Sequence, residues 1–221
     1  MTRRTAILLG LGAPIWAASG KPFWDEKDPE KWTDDERQEL LTRSPWARAA
    51  TVHFDLGPGG LTGRGAAATT SRRGRTSPGI PAPSSPGPIG KYEALVRWDS
   101  ALPIREASKN KSKDDPAANY ILSVTGDLPM LGRGSNDESE AEFQQRLEML
   151  KQYTKLEKHG DPIYLSKMAY AGTSGTLFYF ERNDLIRLQD HTVTFVTKLG
   201  PVEVQAKFPL KEMVYRGKLE L

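Results

Sequence analysis

Val193-Thr194-Phe195-Val196 and Val202-Glu203-Val204-Gln205-Ala206-Lys207-Phe208 are two strand signals either side of Gly200-Pro201. Short runs rich in β-branched and aromatic residues, broken by a turn pair, read as a hairpin. A hairpin makes its strands antiparallel, and the same pattern extends outward from this one. Residues 163–171 and 176–180 flank Gly172-Thr173-Ser174-Gly175, a second hairpin-like turn. Val214-Tyr215 and Leu219-Glu220-Leu221 close the chain, with Gly217 read as a bulge. Upstream, Tyr120 to Val124 is a short apolar run, and Tyr92, Ala94, Val96 and Trp98 alternate. Residues 51–56 alternate too, with His53 on the face opposite Val52 and Phe54.

One helix interrupts these strands. Ser135 or Ser139 caps it, and Asp137, Glu138, Glu140 and Glu142 fill its first turns. Phe143, Leu147, Leu150 and Tyr153 recur at helical spacing. Lys155, Lys158 and His159 sit at its end, and Gly160 stops it. Acids first and bases last suit the helix dipole. The spacing predicts one long helix over residues 136–159, packed on the sheet by its apolar stripe. A second, shorter helix follows Thr33-Asp34-Asp35-Glu36, a capping-box pattern, and runs to about Arg43. Ser44-Pro45 stops it, because the residue before a proline disfavours helix. The fold class is therefore α+β: an antiparallel sheet of about seven or eight strands, sandwich-like or an open barrel, covered by the long helix and by an N-terminal helical arm.

Two segments stand outside this pattern. Met1-Thr2-Arg3-Arg4, an apolar run from Ala6 to Ala18 and the small pair Ser19-Gly20 have the layout of a secretory signal peptide over residues 1–19. The run is too short to span a bilayer, which needs about 20 apolar residues. Arg3-Arg4 matches a twin-arginine signal in part, so both export routes stay open. The second segment, 57–90, holds nine Gly, six Pro and four Arg but no acid and no aromatic. It cannot bury enough apolar area to offset its ordering entropy, so it reads as a disordered linker. It separates an arm and first strand (20–56) from the α+β domain (91–221). Its Arg64, Arg72, Arg73 and Arg75 read as charge that keeps an insertion solvated, with an anionic tether as the other reading.

Composition excludes several function classes. The chain has no cysteine, so disulfides, thiol catalysis and thiolate metal sites are ruled out. The formal charge of +3 falls to +1 without Arg3 and Arg4, which implies no general nucleic-acid surface. No other segment is apolar enough for a transmembrane anchor. His53, His159 and His191 have no metal-ligand spacing, and the acids Asp25, Asp28, Asp34 and Asp35 lack the calcium-loop spacing. Gly-x-Ser-x-Gly is absent. Gly126, Gly132 and Gly134 precede the long helix, but the acids at its start would repel a bound phosphate. No cofactor is expected. Asn110-Lys111-Ser112 fits a glycosylation acceptor, which matters only in a eukaryotic secretory host.

Two groups of side chains remain as candidates. Trp24, Trp32, Trp46 and Trp98, with Arg97, could form flat platforms for a sugar or a peptide, or could staple the short helix to the core. Asp99, Glu106, Asp114 and Asp115 could supply the paired carboxylates of a glycoside hydrolase. The expectation that follows is an exported, periplasmic or extracellular, non-enzymatic binding or structural module that engages an envelope protein or polymer. A secreted carboxylate-dependent hydrolase and a carrier of lipid or small apolar ligands inside a curled sheet are the alternatives.

Three stretches carry a resemblance. They are Lys21-Pro22-Phe23-Trp24 with Trp32-Thr33-Asp34 and Ser44-Pro45-Trp46-Ala47; Val96-Arg97-Trp98-Asp99-Ser100-Ala101-Leu102-Pro103; and the ending from Phe195 to Leu221. Together they resemble a group of exported bacterial proteins with no assigned activity, over most of the chain outside 57–90. The resemblance implies no ligand. It implies that Arg97, Trp98 and Ala101-Leu102-Pro103 are a structural signature.

Overall fold

The computed structural model describes residues 21–54, 93–108, 116–126, 128, 139–171, 175–199 and 202–221. Residues 1–19, read above as a signal peptide, the 57–90 segment, Gly132, Gly134, Asn110-Lys111-Ser112, Asp114, Asp115, Gly172-Thr173-Ser174 and Gly200-Pro201 lie outside these residues. In chain order the elements are α1 (Phe23–Glu26), a 3-10 turn (Pro29–Lys31), α2 (Asp34–Thr42), β1 (Ala47–Phe54), β2 (Ala94–Trp98), α3 (Leu102–Ser108) and β3 (Asn119–Gly126). They continue as α4 (Glu140–Tyr153), β4 (Lys155–Glu157), β5 (Ile163–Tyr164), β6 (Lys167–Tyr170), β7 (Thr176–Glu181) and a 3-10 turn (Leu188–Asp190). The chain ends with β8 (Thr192–Leu199), β9 (Val202–Pro209), β10 (Val214–Tyr215) and β11 (Lys218–Leu219).

The fold is α+β, built on one curled, half-barrel antiparallel sheet of nine strands in the order β5-β4-β8-β9-β1-β2-β3-β7-β6. The β8–β9 hairpin pairs along its whole length, from Thr192↔Pro209 to Leu199↔Val202. Two features bend the sheet. β1 divides its pairing: Ala47–Ala50 bond to β2, while Thr51–Phe54 bond to β9. The two terminal strands, β5 and β6, are separated in sequence by Leu165 and Ser166 alone. Leu165 N–H donates to the Thr154 carbonyl beside β4 (3.1 Å), and Ser166 N–H donates to the Tyr179 carbonyl of β7 (2.9 Å). The chain thus steps directly from one edge of the sheet to the other, which is possible only because the sheet curls back on itself.

The core fills the curl. Every second residue is buried in β2 (Ala94, Val96, Trp98) and in β9 (Val202, Val204, Ala206, Phe208). Phe195 of β8 meets Phe178 and Phe180 of β7 edge-on, at 5.3 and 6.3 Å between ring centroids. β7 and β8 are not neighbours in the sheet, so these contacts run across the interior. Trp98 of β2 meets Phe208 of β9 in the same way at 5.3 Å. On the N-terminal side, Trp24, Trp46 and Tyr215 form an edge-to-face ladder (5.9 and 6.5 Å), and Phe23 bridges Trp24 and Trp32.

Several expectations need correction. The helix is 14 residues, ending at Tyr153, because Thr154 turns to extended backbone and residues 155–157 pair with β8 instead. Leu156 is buried by that pairing, and Lys155 bonds Glu157 rather than a helix end. Tyr153, expected on the apolar stripe, is half exposed, whereas Leu147 and Leu150 are buried. Ser139 is the N-cap, in a reciprocal bond set with Glu142. Residues 163–171 are not one strand but β5 and β6 on opposite edges. The sheet has nine strands, and β10 and β11 form a separate pair. Gly217 is not a bulge: with Arg216 it makes a two-residue turn in which both φ angles are positive (49° and 81°), as a type I′ hairpin requires. The Thr33–Glu36 capping box forms as expected, with both reciprocal bonds in place. Among the described residues no helix is long and apolar enough to cross a membrane.

Candidate functional site

The local sequence after β2 sets one wall of a cleft. Trp98-Asp99-Ser100-Ala101 turns sharply: Ala101 N–H donates to the Trp98 carbonyl (3.2 Å), and the Ser100 hydroxyl accepts from Ile121 N–H (3.0 Å). α3 starts there, with Pro103 in its first turn, where a missing N–H leaves no helix bond unmade. Ile104 and Ala107 face the core, so Leu102 and Arg105 are turned outward. Pro116 and Ala117, just before β3, continue this wall.

The opposite wall is the segment between β7 and β8. Ile186 is buried in the core, and its N–H donates to the Tyr120 hydroxyl (2.9 Å). This anchor leaves its neighbours Leu185 and Leu188 exposed, at 53% and 43%. Two further bonds hold the segment. Lys158 pairs with Asp184 at 2.7 Å, and that bond raises the lysine above its ordinary pKa. Arg187 N–H donates to Asp190 (2.8 Å), closing the 3-10 turn. His191 follows at φ 59°, ψ −50°, a conformation that L-residues with a side chain rarely adopt.

Tyr120 lies at the base of the cleft, with the Arg182 guanidinium 4.3 Å above its ring and bonded to the Leu221 carbonyl. Beneath Tyr120 lies Trp98, edge-on at 5.9 Å. The cleft encloses about 680 Å³, within the range of ligand sites. Among the described residues its walls carry three arginines, Arg105, Arg182 and Arg187, and one acidic side chain, Glu220. Among the described residues the guanidinium groups of Arg105 and Arg187 have no acidic partner. Leu102, Leu185 and Leu188 offer exposed apolar surface there, and Arg105 and Arg187 offer cations without an acidic partner among the described residues.

The tryptophans lie elsewhere in role. Trp24, Trp32, Trp46 and Trp98 are 3%, 4%, 0% and 0% exposed, and their burial supports the staple reading. Trp46 Nε1–H donates to the Glu220 carbonyl (2.8 Å), tying β1 to the last residues of the chain. Arg97 is spent on Asp99, at 2.5 Å from Nε and 3.3 Å from Nη2. Glu106 accepts from the buried Tyr215 hydroxyl (2.7 Å), while its carbonyl accepts from Arg37 (2.9 Å). Burial, and then the bond to Glu106, push the Tyr215 phenol well above its ordinary pKa. Asp99 and Glu106 thus each hold a structural partner, and neither lines the cleft. His53 and His159 are exposed, and Gly126 ends β3 opposite Ala94 rather than opening a phosphate loop. No group of three or more His, Cys, Asp or Glu among the described residues is placed to hold a metal.

Sequence reasoning missed Leu185, Arg187, Leu188, Leu102 and Arg105 as a site. The available signal was Leu185-Ile186-Arg187-Leu188, three apolar residues in a stretch with neither strand nor helix period.

Comparison with protein-family models, curated proteins and solved structures found no match, so the functional reading rests on the cleft's own chemistry.

Proposed function

We propose that this chain is an exported, non-enzymatic binding or structural module of the cell envelope, and that it engages a protein or polymer through the cleft between α3 and the 182–191 segment. One observation carries the reading: Leu102, Leu185 and Leu188 are all more than a third exposed in the walls of one cleft whose loop is fixed by Ile186, Tyr120 and Lys158. Large apolar side chains grouped in a pre-formed concavity mark binding sites. A loop already held in place loses little entropy on binding.

The alternatives find less support. A hydrolase needs two carboxylates in one cleft, but Asp99 is held by Arg97 and Glu106 by Tyr215. A carrier needs space inside the curl, where Phe178, Phe180 and Phe195 are in ring contact.

The test is thermal unfolding of the full chain against a panel of peptides, cell-wall glycans and lipids, repeated with Leu185→Ser/Leu188→Ser. A ligand at 100 times its Kd adds about 2.7 kcal/mol. The reading predicts a midpoint rise that the double variant abolishes. A rise that the variant leaves intact would place binding elsewhere on the molecule. Export has its own test: residues 1–19 fused to a reporter enzyme should carry it out of the cytoplasm, and retention of the reporter would overturn the assignment.

A further inference from the structure

We infer that the cleft takes an extended acidic peptide segment of a partner protein, one that carries at least one large apolar side chain between or beside its carboxylates. The inference rests on the binding-module reading and names its partner class.

Charge is the first argument. Arg105 belongs to α3 and Arg187 to the segment between β7 and β8, so the two cations reach the cleft from the two elements that form its walls. Nearby acids are already engaged: Asp184 by Lys158, and Asp190 by the Arg187 N–H. Among the described residues Glu220 is the one acidic side chain in the lining, against three guanidinium groups, and Arg182 is itself committed to Tyr120 and Leu221. A ligand that bridges both walls therefore meets positive charge on each side, and planar guanidinium groups match carboxylates in geometry.

Leucine exposure is the second argument. Leu102, Leu185 and Leu188 line the same space as the arginines, with Pro116, Ala117 and Tyr120 completing an apolar floor. An anionic polysaccharide offers charge without apolar side chains at this density. A lipid surface calls for a protruding apolar face, whereas these residues wall a concavity. A peptide supplies carboxylates and apolar side chains together, a few ångströms apart along one chain.

The experiment is fluorescence anisotropy on the full chain. The probes are a labelled peptide alternating Asp or Glu with Leu or Phe, the same peptide with Asn and Gln for its acids, a polyuronate, and anionic vesicles. The inference predicts saturable binding of the acidic peptide, at least tenfold weaker binding of its amide version, and further weakening from about 0.05 to about 0.5 M salt as charges are screened. Arg105→Gln/Arg187→Gln should weaken the acidic peptide at least tenfold, while Arg105→Lys/Arg187→Lys, which keeps the charge and loses the planar fork, should recover part of that loss. Both doubles lie at the surface, and their unfolding midpoints report whether the fold is intact. Equal binding of the acidic and amide peptides would overturn the acidic class but leave the binding-module reading standing. Binding of polyuronate or vesicles alone, lost in Leu185→Ser/Leu188→Ser, would do the same. An acidic peptide that binds but ignores both the Gln double and the Leu double would remove the cleft from the account.

Discussion

Gly175 sits at φ +85°, and a Cβ there would lie 2.2 Å from the Val124 carbonyl oxygen; at Gly126, φ +144°, the distance to the Glu93 carbonyl is 2.4 Å. Both obstacles are backbone, which cannot swing away as a side chain would. Gly160 also has positive φ (+90°) but has nothing within 4 Å. Gly126→Ala and Gly175→Ala should therefore each cost more than Gly160→Ala, by about 1–3 kcal/mol, in urea unfolding. Equal losses at the three sites would contradict the close approach. A second residue-scale prediction concerns Thr154 and Thr197, whose buried hydroxyls bond at 2.7 Å. Thr197→Val strands the partner hydroxyl and should cost about 1–3 kcal/mol, while the Thr154→Val/Thr197→Val double should recover part of that loss. Strictly additive losses would show that the pair does not interact. At this scale the sequence was informative where residues act locally. Thr33 and Glu36 announced their cap, and His53 its exposure. The fate of Glu106 was not legible, because its partner Tyr215 lies 109 positions away and is chosen by the fold, whereas the Arg97–Asp99 pair, two residues apart, was a local signal that the reading passed over.

Elements show where local pattern and tertiary pairing compete. The acids before residue 142 and the bases after 154 read as a single dipole-matched helix, yet the chain leaves helix at Thr154. Leu156 gains burial and Lys155–Glu157 gain ladder bonds with β8, which a longer helix would forgo. Single-sequence periodicity cannot see that competitor, since β8 begins 35 residues beyond β4. The β10–β11 turn offers an element-scale prediction. Arg216 occupies the first of two positive-φ positions, where asparagine is far better suited. Arg216→Asn should be more stable than Arg216→Ala, which loses the same stacking on Tyr215 and ion pair with Asp28, by about 0.5–1 kcal/mol, and equal stabilities would contradict the turn type. The α2 cap gives a pH prediction. The bond from Lys27 and then the Thr33 N–H hold the Glu36 carboxyl below its ordinary 4.5. The native state therefore binds fewer protons than the unfolded chain just below that value. The stabilisation is present above it and is lost as pH falls through the native value. Glu36→Gln should cost about 0.5–1 kcal/mol at pH 7 and flatten the acid limb of the stability–pH curve. An unchanged limb would show that the cap carboxylate does not contribute.

At the scale of the whole molecule, the antiparallel class and the β8–β9 hairpin were legible because turn and strand signals are local. The curl was not, because it depends on β1 dividing its bonds between β2 and β9, and on Leu165-Ser166 carrying the chain from one edge to the other. Neither leaves a periodic trace. The same curl explains why the tryptophans could not be sorted from sequence into platform or staple: Trp46 and Trp98 are covered by residues far along the chain, Tyr215 and Phe208. It also explains the cleft, which forms where α3, the 182–191 segment and the last residues converge on the outside of a core filled by aromatic rings. The central claim is that this molecule binds on that outer cleft and not within its curl. Hydrogen exchange of the full chain, with and without a saturating acidic Leu-containing peptide, tests it most directly. The account predicts new protection confined to amides of 102–105, 116–120 and 185–191, with β7 and β8 unchanged. Protection centred on Phe178, Phe180 and Phe195, with the cleft segments unaffected, would contradict it.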